Sequence, residues 1–171
     1  MRKSFAALSM IAASMLMSTT AHAAGERDLQ LIGRALSFVE GGATGDVTLA
    51  IVYSDDVAGS QAEAESISGL IGSGLNAGQV TLQAQLIPVS EISGLGSDAA
   101  LFVPAGMSAH YGDISASSAV TVSTDRACAE AGACVVAVQS DPSVEIFVSR
   151  SAAEARSVSF ASAFRMMINE L

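Results

Sequence analysis

Apolar and polar positions along this chain follow two rhythms. From Asp28 onward, Leu29, Ile32, Leu36 and Val39 recur at helical spacing, with Asp28 placed as an N-cap and Gly41-Gly42 as a stop. Val47 to Val52 is a short apolar run rich in β-branched residues, bounded by Gly45-Asp46 and Ser54-Asp55-Asp56, and it reads as a buried strand. The stretch from Gln61 to Leu75 returns to helical spacing with Ala64, Ile67, Leu70, Ile71 and Leu75 inward, softened by Gly69, Gly72 and Gly74. Val80, Leu82, Ala84 and Leu86 then alternate with polar residues, as a half-exposed strand near a sheet edge does. Ala99 to Val103 is a second buried run, and Gly106 to Ile114 a short helix or loop.

The last third repeats the strand signal at closer intervals. Val120 to Ser123, Cys134 to Gln139 and Val144 to Val148 read as strands, with a turn at Asp141-Pro142, and a long amphipathic segment ends the chain. Phe160, Phe164, Met166 and Met167 read as the inward face of that last helix. Strands alternating with helices predict an α/β fold: a three-layer sandwich with a mostly parallel sheet and helices on both faces. The Asp141-Pro142 turn makes the last strand antiparallel.

The N-terminus carries a different signal. Arg2 and Lys3, an apolar run from Phe5 to Met17 and the small-residue site Ala21-His22-Ala23 meet the description of a secretory signal over residues 1–23. The run is short for a membrane span, which needs about 18 apolar residues. Cleavage would leave residues 24–171 as a single domain with no membrane insertion, in the periplasm if the host has two membranes. It would also remove Arg2 and the only lysine, Lys3, taking the formal charge of −9 two units lower. The remaining cations are six arginines. An acidic, lysine-free chain repels phosphate backbones, which excludes nucleic acid as a partner.

Cys128 and Cys134 are the only cysteines. In an exported chain they are expected to form a disulfide, acting as a staple or as a redox switch. Their spacing is poor for zinc, which also needs two more ligands. No catalytic set is apparent. Asp55 and Asp56 after the first strand lack the lysine that phosphoacceptor chemistry uses, and one of them is expected to cap the following helix. Ser108 is not in a nucleophile elbow, and His110, two residues away, does not face it on a helix. Gly69 to Gly74 lacks a phosphate-loop lysine. No enzyme activity, cofactor or metal is expected.

Two stretches carry a family likeness. Leu36 to Glu40 reads LSFVE, and the tail runs through Ser149, Ala152-Ala153, Ser157-Val158 and Ser162 after a strand, a cysteine-bounded loop and two more strands. This order resembles the YfiR-like periplasmic repressors, whose first helix ends in Phe-Val-Glu and whose tail passes through an Asn, an Ala-Ala pair and a Gly-Leu before a helix serine. Here Ser149 stands for the Asn, Ser157 for the Gly, and Gly41-Gly42 for the family's Trp-Pro. The resemblance implies a homodimer that binds the periplasmic sensor domain of an inner-membrane diguanylate cyclase and represses cyclic di-GMP synthesis. Arg150, Arg156 and Arg165, rare cations in an acidic chain, are the candidate partner-binding residues. The alternative is a small ligand-binding protein similar to one lobe of a transport receptor.

Overall fold

A computed structural model describes residues 23–171, so the expected signal over residues 1–23 falls outside the described residues save for Ala23. The elements in order are α1 (Glu26–Ser37), β1 (Gly45–Tyr53), α2 (Ser60–Ile71), β2 (Leu75–Ala77), β3 (Val80–Pro88), β4 (Ala100–Val103), α3 (Tyr111–Ala116), β5 (Val120–Ser123), α4 (Arg126–Glu130), β6 (Val136–Gln139), β7 (Glu145–Val148), α5 (Arg150–Ala155), α6 (Ser162–Arg165) and β8 (Asn169–Glu170). Single 3₁₀ segments at Val89–Gly94 and Met107–His110 complete the connections.

The strands form one sheet in the order β2-β3-β1-β4-β5-β6-β7-β8. Its five central strands, β3 to β6 in that order, are parallel, while β2 runs antiparallel to β3 and β7 antiparallel to β6. Strand alternation decides how the sheet is covered. On β1, Leu49 and Ile51 join one apolar cluster while Ala50 and Val52 join another; on β4, Ala100 and Phe102 separate from Leu101 and Val103 in the same way. Because neither side chain set reaches water, each face needs its own layer. The first layer is α1, α2, α5 and α6, contributing Leu29, Ile32, Ile67, Ala152 and Phe164. The second is built from the 3₁₀ segments, α3 and α4, through Ile92, Met107, Ile114 and Cys128. This is the α/β three-layer sandwich expected from the pattern, with the antiparallel pair at β6 and β7.

Several local expectations are corrected. Asp28 is buried and is the third residue of α1; Gly25 is the cap, and Asp28 Oδ2 accepts the Gly25 N–H at 2.9 Å. The acid closes the helix start from within, so the helix begins before the residue that signals it. The second helix stops at Ile71 because Gly72 adopts φ +58°, and Leu75 leaves the helix to open β2. Leu70 consequently faces solvent at 41% exposure. The long terminal helix is replaced by two short ones. Ser157, at φ +53°, ends the turn after α5; Phe160 is extended and bridges to Val39, and the chain finishes as β8. Phe160 and Phe164 are buried as expected, but Met166 and Met167 point outward, 89% and 56% exposed.

One close approach fixes how α1 lies on the sheet edge. A Cβ on Gly33 would sit 2.3 Å from Ala77 Cβ and 3.4 Å from Val80 Cγ2, so the helix reaches β2 only because this residue has no side chain. At an exposed helical site Gly→Ala gains about 1 kcal/mol, but forcing a methyl into packed contact costs about 1–3 kcal/mol. Gly33→Ala is therefore expected to lower stability in urea by about 1–2 kcal/mol, and adding Ala77→Gly should recover most of the loss.

Candidate functional site

Parallel α/β sheets offer ligands a crevice where successive connections leave to opposite faces, at the carboxyl ends of the strands. Here that point lies between β1 and β4, since α2 covers one face and α3 the other. The loops fill it with their own contacts. Ser60 Oγ accepts the Ser54 N–H at 2.9 Å and donates to Met107 Sδ at 3.7 Å, and Met107 is fully buried. Asp55 and Asp56 lie in the turn before α2 and are exposed; Gly59 occupies the cap position, so neither acid caps the helix. The six-residue connection from Ser54 to Gly59 places both carboxylates several residues ahead of the helix start.

His110 stands between two carboxylates, its Nε2 3.9 Å from Asp56 Oδ2 and its Nδ1 3.9 Å from Asp113 Oδ2. These are longer than hydrogen bonds, and the acids are 82% and 71% exposed. Ser108 shares the Met107–His110 segment with the histidine, and no hydrogen bond joins the two. Among the described residues, no group of three His, Cys, Asp or Glu side chains is arranged to hold a metal ion.

The three arginines do not share one surface. Arg150 pairs with Glu170 and holds β8 beside the start of α5, helped by its N–H to the Leu171 carbonyl at 3.3 Å. Arg165 donates through Nε to the Phe160 carbonyl at 2.9 Å, and both it and Arg150 border a cleft at the sheet end. Arg156 points elsewhere. Its half-buried guanidinium donates to the carbonyls of Ile114 (2.9 Å), Ala152 (3.2 Å), Ser115 (3.2 Å) and Ala133 (3.3 Å). It thereby ties α5 to the end of α3 and to the segment leading into β6. Burial pushes its pKa down, and among the described residues no carboxylate lies within ion-pair distance of it.

Arg156 also borders a cleft of about 240 Å³ at the amino ends of β1, β4 and β5. Val47, Ala100 and Val120 form its apolar floor, and Glu40 and Asp98 add two carboxylates. Such a site can hold groups of either sign, but it contains no paired nucleophile and base. Its wall is made where the chain's two ends meet. Val39 and Phe160 form an antiparallel bridge, Glu40 N–H donates to the Ser159 carbonyl at 2.9 Å, and Ser159 Oγ donates to Glu40 Oε2 at 2.9 Å. Phe38 stacks on Phe164 with centroids 5.1 Å apart. Sequence reasoning missed this junction: Glu40 and Ser159 are 119 residues apart, and no local pattern couples them.

Cys128 and Cys134 form a disulfide joining α4 to the segment before β6, and both are fully buried in the second layer. No family model matches the sequence, and no curated protein matches it significantly.

Two outcomes follow from this geometry. Tyr111 on α3 donates to Asp125 Oδ2 at 3.5 Å, and burial, then the charge of Asp125 and this hydrogen bond, push its pKa up to about 12 from 10.0. Its proton is held more tightly in the folded state, so this contribution to stability is whole below pH 10 and lost as the pH rises toward about 12. Alkaline unfolding should be shallower in Tyr111→Phe across that window. For the disulfide, ring closure over so short a loop is worth about 2 kcal/mol. Cys128→Ala with Cys134→Ala should lose about that much in urea unfolding, and reductant should leave the native bond intact until the protein unfolds.

Proposed function

We propose that this chain is an exported regulator that resembles the YfiR-like repressors, binding the periplasmic sensor domain of an inner-membrane diguanylate cyclase and holding cyclic di-GMP synthesis down. The observation that carries the reading is the junction at Val39 and Phe160, where the two stretches bearing the likeness, Phe38-Val39-Glu40 and the tail from Ser149 to Ser162, meet in space. Motifs at opposite ends of a chain that build one wall are understandable as a single family feature. The backbone at Ser157 adds support. It adopts φ +53°, the left-handed region that glycine favours, at the position where the family carries glycine.

Export is supported by the buried disulfide, which suits an oxidising compartment. No helix among the described residues is long and apolar enough to cross a membrane. The protein acts by binding rather than by catalysis, and it works as a homodimer. Arg150 and Arg165, which border one cleft, are better placed to meet a partner than Arg156, whose hydrogen bonds are spent inside the fold. A lobe of a transport receptor would close on ligand against a second lobe, whereas the described residues form one sheet with its two covering layers.

The test is capture by the purified protein from detergent-solubilised membranes of its own host, together with cyclic di-GMP levels in cells lacking its gene. A diguanylate cyclase in the captured fraction and a rise in cyclic di-GMP are expected. An unchanged level of the dinucleotide would overturn the reading.

A further inference from the structure

Arg156 carries a charge that no anion neutralises among the described residues. Arg126 and Arg150 pair with Glu130 and Glu170, whereas every group that Arg156 bonds is a main-chain carbonyl. Its Nη2 serves Ile114, Ser115 and Ala133, and its Nη1 serves Ala152 alone. Nε is buried and has no acceptor among the described residues. Carbonyls solvate a cation without cancelling it, and a cation drawn out of water is held at a cost until an anion meets it.

The cleft of about 240 Å³ beside this guanidinium has the composition of a ligand site, an apolar base with a few polar groups around it. Val47, Ala100 and Val120 form the base, and the exposed Ser118 and Ser157 stand on the rim with hydroxyls that make no hydrogen bond among the described residues. Its volume falls below the roughly 300–1,000 Å³ of sites for drug-sized molecules, so the occupant is a small metabolite. Electrostatics limit the occupant's charge. Glu40 and Asp98 border the same cleft and the chain as a whole carries −9, which repels a dianion such as a phosphate monoester. A single negative charge at the guanidinium is matched, and the planar group with its N–H donors suits a carboxylate. The apolar base calls for a hydrocarbon body in place of a polyol.

We propose that this cleft is a binding site for a small apolar monocarboxylate, its carboxylate on Arg156 and the rim serines and its body against Val47, Ala100 and Val120. The occupant supplies the counter-charge that the fold withholds from Arg156. It sits where α5, the end of α3 and the junction of the two chain ends come together, apart from the cleft bordered by Arg150 and Arg165. The site is independent of which membrane protein, if any, the chain regulates.

Arg156 anchors four carbonyls, so replacing it would disturb the fold together with the site. Ser118 is exposed and offers a cleaner variant. Calorimetric titration of the purified protein with benzoate and hexanoate, each matched by its primary amide, is the test. At least one of the acids should bind saturably, and its amide at least about tenfold more weakly. Ser118→Asp, which sets a carboxylate on the rim, should weaken binding of the acid at least about tenfold with an unchanged melting curve. Ser90→Asp, the same charge beyond the carboxyl end of β3, should leave binding as in the wild type. Failure of both acids to bind overturns the proposal, as does an amide that binds as tightly as its acid. A Ser118→Asp protein with wild-type affinity, or an equal loss in Ser90→Asp, overturns it as well.

Discussion

The constraint on which this structure depends is that its central strands have no side facing water. Leu49, Ala50, Ile51 and Val52 are all fully buried, as are Leu101, Phe102 and Val103 beside them. A strand of that kind cannot stop at a sheet with one covered face. It obliges the chain to supply helical material on both sides, and the short connections between β3 and β6 do so on one face while α1, α2, α5 and α6 do so on the other. The first layer consequently has to be assembled from both ends of the sequence. The contact between Phe38 and Phe164 is a result of that need, since no nearer segment is left to close the face.

The same constraint explains what could be read in advance. Runs such as Val47 to Val52 and Ala99 to Val103 announce themselves because a doubly buried strand is apolar at nearly every position, whatever its neighbours. Elements that owe their existence to a neighbour left no such mark. β2 and β8 span three and two residues, and their strand character comes from lying beside β3 and β7. The tail looked like one amphipathic helix because Phe160, Phe164 and Met167 keep helical spacing. The left-handed turn at Ser157, a residue with no strong preference for it, breaks the pattern without any sign in the spacing. The cleft beside Arg156 was equally hidden, as its walls come from four separate parts of the chain.

Arg156 also shows how an acidic protein can use a rare cation internally. Carboxylates outnumber basic residues 17 to 8 in the sequence, yet the guanidinium is met by four main-chain carbonyls. Two of these, Ile114 and Ser115, come from the end of α3, and Ala152 is from α5. Carbonyls at helix ends carry partial negative charge and lack a full complement of N–H partners; that of Ile114 accepts only the cap N–H of Ser117, at 3.2 Å, besides the guanidinium. One side chain thus satisfies the loose ends of elements too short to be stable alone, which joins the two layers at the rim of the sheet.

The placement of the disulfide has a consequence for the order of events in folding. Both sulfurs are sealed beneath the second layer, among Ala133, Met107 and Ile114. An oxidant cannot approach them once that layer has settled, so the bond has to be made while α4 is still loose. A chain that closed before meeting its oxidant would keep two stranded thiols in its core.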